Sequence, residues 1–418
     1  MKRGRLVVVD WTRGAARVGV FADGLRGWQL EAGMDMPASL GVRSGEGGPC
    51  VLIGDEATEG NADSSTLIFD PVRDLPRMDD SDLQNLLLTG FWRAVVEDSV
   101  ARGLLRSGEQ ADGYVVPSHR FPLPLLNRFR ESCAGQRPVS LVGIVNEAAA
   151  FVLGFLRSEA CHLESSRTSD PPITICLVVA LEEHTVDVAC FDYQRTSPTN
   201  QRILIRDFFH TTCTELSTRL RDCDRLGGFS EVVVVEDPAL PLSAQSAVTV
   251  PLQAIADGVM PLRHQTTAAS QFKLSGAAYI ALCASRRAPD AQEYALTHAC
   301  HIGLQVDQQY FQPVVAKDAW AEVTEFPHVA AQTFRLHGRP GAALRLNLCS
   351  SYSTRVADAV PLGHMTLSQE DLSQLTGAGS FTAAVRLDAP GSGEFLLGLM
   401  PENRVLRRQA FTLPGLVV

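Results

Sequence analysis

At 418 residues the chain has room for two or three domains, and 45% apolar with 20% charged residues is ordinary for a globular protein. A formal charge of −10 argues against generic nucleic-acid binding, which needs clustered cations. No run reaches the ~18 apolar residues that span a bilayer, and the run Leu6 to Val9 behind Lys2, Arg3 and Arg5 is too short for a signal-peptide core. The expected location is therefore the cytoplasm, with neither membrane nor sequence-specific nucleic acid as a partner.

LVVVDW reads as a buried strand, residues 12–15 as a turn and ARVGVF as the returning strand of a hairpin. Short strands follow at 50–53 and 66–69. Residues 83–105 carry helical spacing behind the capping residues Asp79, Asp80, Ser81 and Asp82. GYVVP at 113–117 is a strand, 123–134 an amphipathic helix, VSLVGIV at 139–145 a strand and 147–156 a helix. The serine-rich segment 158–172, closing on two prolines, reads as a loop or lobe boundary.

The pattern then restarts. ITICLVVAL and TVDVACFDY form a second hairpin and QRILIRDFF a third strand. A helix is expected over 213–225, a buried strand over 232–236 and a small-residue helix over 274–285. From about residue 301 short strands alternate with turns, and the only helical feature expected is a turn around 369–375, the signature of a β-sandwich. The reading gives a duplicated α/β architecture with lobes at 1–157 and 172–292, then a sandwich at 301–410.

Ten cysteines are scattered without a CxxC pair, and only Lys2, Lys273 and Lys317 are lysines. The groups His298, Cys300, His301 and Cys213, Cys223 lack zinc-site spacing, so no metal is expected.

Several segments together resemble the DnaK-type (seventy-kilodalton heat-shock) chaperones. Asp10 with its turn and ARVGVF resembles their first phosphate hairpin. Gly54-Asp55-Glu56-Ala57, LIFDPVR at 67–73, VVPSHRF at 115–121 and Val145-Asn146-Glu147-Ala148-Ala149-Ala150 resemble further family segments in order. ALEEHTVDV at 180–188 falls where the family has its second phosphate hairpin, and PGAALRLNL and PLGHMTL resemble its peptide-binding domain. The resemblance implies an actin-like (ribonuclease H-like) two-lobe domain with a reduced second lobe, followed by a small β-sandwich.

The departures concern the nucleotide. Glycine lets backbone N–H groups cradle phosphates. Thr12, Arg13 and Gly14 stand in the first hairpin, and Glu182, Glu183 and His184 replace glycines of the second. Glu236, Asp237 and Pro238 stand where an adenosine loop carries glycines, and Val72 stands at the family's lysine. Two carboxylates beside a phosphate would each cost on the order of 3 kcal/mol per unit charge. Asp10, Glu147, Thr185 and Asp187 stay at matching positions and are read as remnants with a structural role.

The resemblance thus implies a pseudo-ATPase with no cofactor: a lidless, chaperone-like scaffold or cochaperone. Its partner would be a J-domain protein, a ribosome-associated factor or another subunit of an assembly. The competing readings are a divergent actin-fold ATPase or sugar kinase using Asp10 and Asp187 with magnesium, and a structural subunit. Family alignment places Phe334, Leu344 and Leu346 near a peptide pocket with Phe311 at its rim. Their alternative role is to fill the sandwich core.

Overall fold

Leu6 to Val9 are each at most 1% exposed, because their strand is central and covered on both faces. The computed structural model describes residues 5–13, 15–24, 27–37, 39–44, 49–61, 67–106, 109–118, 121, 123–158, 172–180, 185–197, 200–224, 229–238, 262–284, 293–298, 300–305, 311–316, 328–334, 344–351, 359–378, 380–389, 392–399 and 404–412. The chain divides into two units. The first holds Met1–His162, Thr267–Ala291 and Leu416–Val418; the second holds Leu163–Thr266 and Gln292–Gly415.

In the first unit β1 (Arg5–Trp11), β2 (Ala16–Gly24) and β3 (Gly27–Met36) run antiparallel. A small ladder joins β4 (Leu40–Arg43) to β5 (Cys50–Ile53). Two parallel strands, β6 (Ala111–Pro117) and β7 (Val139–Ile144), extend the main sheet from β1, giving the order β3-β2-β1-β6-β7. Gly54 turns the chain after β5 at φ +63°, where a Cβ would meet Pro37 at 2.6 Å. The strand expected at 66–69 is reduced to one bridge between Ile68 and Leu40.

The same unit carries the helices α1 (Pro71–Asp74), α2 (Ser81–Ala101), α3 (Leu123–Cys133) and α4 (Glu147–Arg157). Asp80 caps α2 by accepting from the N–H groups of Asp82 and Leu83. Trp11 stacks on Phe91 of α2 at 3.9 Å between ring centroids, tying the sheet to that helix.

The second unit carries β8 (Ile173–Ala180), β9 (Thr185–Ser197), β10 (Asn200–Thr212), helix α5 (Cys213–Asp224), β11 (Glu231–Glu236), β12 (Leu262–Thr266) and β13 (Glu293–His298). Its sheet is ordered β12-β11-β8-β9-β10-β13. Strands β8, β9 and β10 are antiparallel, and β11 and β12 are added in parallel on the far side of β8. This repeats the order and sense of the first sheet, with β13 as an extra edge strand.

Two segments differ from expectation. Residues 293–298, which fall between the expected second lobe and the expected sandwich, form β13 and pair in parallel with β10 from Asn200↔Glu293 to Ile205↔His298. An open β10 edge offers unpaired backbone groups, and a Tyr/Leu/Thr-containing segment suits that position. Helix α6 (Phe272–Ala284), assigned by sequence to the second lobe, lies in the first unit. It is apolar nearly all round, so it demands burial. A Cβ on Gly276 would lie 1.8 Å from the carbonyl of Ala150, and one on Gly154 1.9 Å from that of Phe272. These glycines let α6 and α4 touch backbone to backbone.

The rest of the second unit holds two four-stranded sheets. One is ordered β15 (Phe311–Val315), β14 (His301–Gln305), β17 (Leu344–Ser351), β18 (Val360–Leu367). The other is β16 (His328–Phe334), β19 (Phe381–Ala389), β20 (Ser392–Leu399), β21 (Arg404–Thr412). On β19, Phe381, Ala383, Val385 and Leu387 alternate inward at 0–4% exposure. Leu204 of β10 joins the same core. Between β18 and β19 the expected turn is a full helix, α7 (Gln369–Ala378). Ser368 and Asp371 close its first turn reciprocally: the Ser368 N–H donates to Asp371 Oδ2 at 2.8 Å, and the Asp371 N–H donates to Ser368 Oγ at 3.2 Å. Among the described residues no helix is long and apolar enough to cross a membrane.

Candidate functional site

Strand β1 delivers Asp10 near its C-terminal end, and the chain turns there through Thr12. Strand β7 leads into Asn146, whose side-chain oxygen accepts the Ala149 N–H at 3.0 Å and starts α4 with Glu147 as its first residue. Lys273 is the second residue of α6. These elements converge within the first unit. The Lys273 ammonium donates to Glu147 Oε1 at 2.8 Å and to Thr12 Oγ1 at 2.9 Å. Thr12 passes its own hydroxyl hydrogen to Asp10 Oδ1 at 2.8 Å.

Lys273, Glu147 and Thr12 are 4%, 3% and 6% exposed. Charges so deeply buried persist only when paired, because desolvation costs several kcal/mol per ion. Asp10 is half-buried. Burial pushes its carboxyl above the usual range and Glu147 adds to that, while Lys273, the Thr12 hydroxyl and Arg13 pull it back without cancelling the rise. Chemically the centre is a closed relay of ammonium, hydroxyl and carboxylates. Lys273 is a fixed cation on the oxygens that a magnesium–nucleotide complex would need, so these residues do not fit the cofactor that the chaperone resemblance would bring.

Asp187 and Thr185 lie on β9 in the second unit. Asp187 is fully buried, and the antiparallel register sets it opposite His210 of β10, whose Nδ1 contacts Asp187 Oδ1. The His210 and Phe208 rings meet in a T-shaped contact with their centroids 5.3 Å apart. Thr185 pairs with Thr212 at the end of the ladder.

At the other replaced positions, Glu236 pairs with His264 Nδ1 at 3.1 Å and Asp237 is buried. Val72 is 4% exposed and belongs to the apolar core of the first unit, so the position carries packing. Glu182, Glu183, His184 and Gly14 lie outside the described residues, as do 159–171 of the expected lobe boundary. Cys213 is buried in an apolar cluster with Cys176 and Cys190, and burial pushes its thiol pKa up, as for a small hydrophobe.

In the first of the two four-stranded sheets, Leu344 and Leu346 share the face of β17 that carries Leu348, which is 1% exposed. Both are half-buried against the core, as is Phe334, whose ring stacks on Phe381 at 5.4 Å. Phe311 is 3% exposed and meets His301 edge-on, an interior place rather than the rim the resemblance gives it.

Sequence reading singled out Asp10 and Glu147 but not the residue that joins them. The signal for Lys273 was a lone cation in the apolar run FKLSGAAYIALCA of a chain with three lysines. His210 follows from the β9–β10 hairpin register, which the sequence alone does not set. Compared with known proteins, the chain matches no protein-family model and no curated protein sequence.

Proposed function

We propose that the chain is a non-catalytic, chaperone-like scaffold or cochaperone that binds a protein partner without ATP turnover, similar to ribosome-associated members of the DnaK-type family. The observation that carries this reading is Lys273, buried and bonded to Glu147 and Thr12 at the hairpin where the family engages phosphate and metal. The shared order of the two sheets supports the actin-like part of the reading, and the paired four-stranded sheets support the chaperone-like part. An actin-fold ATPase or sugar kinase would need the same acids available to magnesium, and the partner in this reading is a J-domain protein, a ribosome-associated factor or another subunit of an assembly.

Calorimetry with Mg-ATP and Mg-ADP tests it, and no heat of binding is expected at millimolar nucleotide. A micromolar dissociation constant would refute it. Titrating a labelled hydrophobic heptapeptide tests the peptide part. Weak, fast binding is expected for the wild type, with loss in Leu344→Asp if that side chain lines a groove. Outright unfolding of Leu344→Asp would assign the residue to the core.

A further inference from the structure

We propose that the Lys273 ammonium is a built-in counter-cation: it holds Glu147 Oε1 and Thr12 Oγ1, while the Thr12 hydroxyl holds Asp10 Oδ1, and it closes this centre to divalent metal ions. The inference rests on hydrogen bonds within the first unit and stands whatever partner the second unit binds.

Carboxylate and hydroxyl oxygens are the ligand type of magnesium and manganese. Here a side chain of the protein holds them, and its position is set by packing. Gly154 of α4 admits the Phe272 carbonyl, and Gly276 of α6 sits on the Ala150 carbonyl. The Phe272 ring lies edge-on to Phe151 and Phe155, at 6.2 and 6.0 Å between centroids. The Arg157 guanidinium also lies 4.1 Å from the centre of the Tyr279 ring, a further contact between the two helices. The residue before Lys273 is therefore packed against α4, and Lys273 itself is buried beside it at 4% exposure. An exposed lysine would yield to a competing ion; this one is held on Glu147 by the helix that carries it.

The proposal predicts that removing the amine uncovers a cation site. Manganese binding, read by the loss of the free-ion electron paramagnetic resonance signal, should be absent in the wild type at millimolar metal. Lys273→Met should bind the ion at least about 100-fold more tightly than the wild type, the scale of an unpaired buried charge. Lys273→Met/Glu147→Gln should lose that gain, and Lys273→Arg should not acquire it. A wild type that retains manganese as tightly as Lys273→Met, or a folded Lys273→Met that ignores manganese, overturns the proposal.

A measurement on the wild type covers the case in which Lys273→Met does not fold. Acetylation followed by peptide mass spectrometry should modify Lys273 at least about tenfold more slowly in the native protein than in the urea-unfolded chain, since modification requires local opening. Millimolar magnesium should leave that protection unchanged. Equal reactivity in the two states, or deprotection by magnesium, refutes a built-in cation.

Discussion

The two large sheets repeat one strand order, yet they hold their buried acids by different means. In the first unit Asp10 and Glu147 meet a lysine that comes from 126 residues beyond Glu147 and 261 beyond Thr12. In the second, Asp187 meets a histidine 23 residues away on the adjacent strand of its own hairpin. The first arrangement is a product of helix packing and supplies a permanent charge. The second is a product of strand register, and its partner is a cation only when protonated. One topology therefore supports a centre that fails when a helix moves and another that lasts as long as its hairpin.

The sharpest way to break this contrast is to remove each partner. Lys273→Met leaves Glu147 buried without its cation and should cost about 3–5 kcal/mol in a denaturant titration. Adding Glu147→Met should recover most of the loss, because two apolar side chains replace a pair whose desolvation was costly. His210→Gln keeps a neutral donor beside Asp187 and should cost only about 1 kcal/mol. Equal losses at the two sites would remove the distinction between them.

Next in size is the helix contact itself. Gly154→Ala puts a methyl 1.9 Å from the Phe272 carbonyl, a backbone atom that cannot rotate away. Overpacking of this kind should cost about 3 kcal/mol and weaken the Lys273–Glu147 bond with it. Gly135→Ala is the control: its Cβ meets nothing within 4 Å, and the φ of +73° should cost only about 1 kcal/mol. Similar melting temperatures for the two variants would show that the seat of α6 on α4 is not what fixes the lysine.

How much of this was legible in sequence follows from the range of the signals. Hairpins such as β1–β2 and β8–β9 announce themselves by apolar runs around a turn, and Asp80 and Asn146 mark helix starts because capping is local. The membership of α6 in the first unit was not legible. Its apolar, small-residue composition demands burial, but only the fit of Gly154 and Gly276 against the two carbonyls selects the partner. The same holds for β13, whose own residues suit a strand but whose pairing also depends on an open β10 edge. At the candidate site, Asp10 and Glu147 were visible as parts of local motifs, whereas Lys273 is brought to them by the packing of α6 on α4.

A smaller effect separates the sandwich from both sheets. Asp371 is pulled up by burial, but hydrogen bonds from Arg407 and from the Ser368 hydroxyl and N–H outweigh this and hold its carboxyl below the usual range. Its contribution is full above the unfolded carboxylate value near 3.8 and is lost as pH falls through the lower folded value. Asp371→Asn should cost about 1 kcal/mol at neutral pH, typical of a lost helix cap. The cost should shrink in strongly acid solution, measured by urea titration at a series of pH values. A cost independent of pH would mean that packing, not the ionised carboxylate, holds the start of α7.

The smallest effect has the opposite sign and tests the first centre from its other end. Asp10 is raised by burial first, so the folded state binds its proton more tightly than the unfolded chain does. Stability therefore falls as pH rises from the unfolded value near 3.8 through the raised folded value, and the penalty is complete above it. Asp10→Asn keeps an oxygen for the Thr12 hydroxyl while removing the charge. It should stabilise the protein at neutral pH by up to about 1 kcal/mol and give no gain below the unfolded value. Thermal denaturation of both proteins across that range reads the difference directly. Were Asp10→Asn to destabilise at neutral pH, attraction to Lys273 would outweigh the cost of burial, and Asp10 would be an equal partner of the lysine beside Glu147. A gain at neutral pH leaves Glu147 as its principal partner and Asp10 as a half-buried acid that the lysine tolerates.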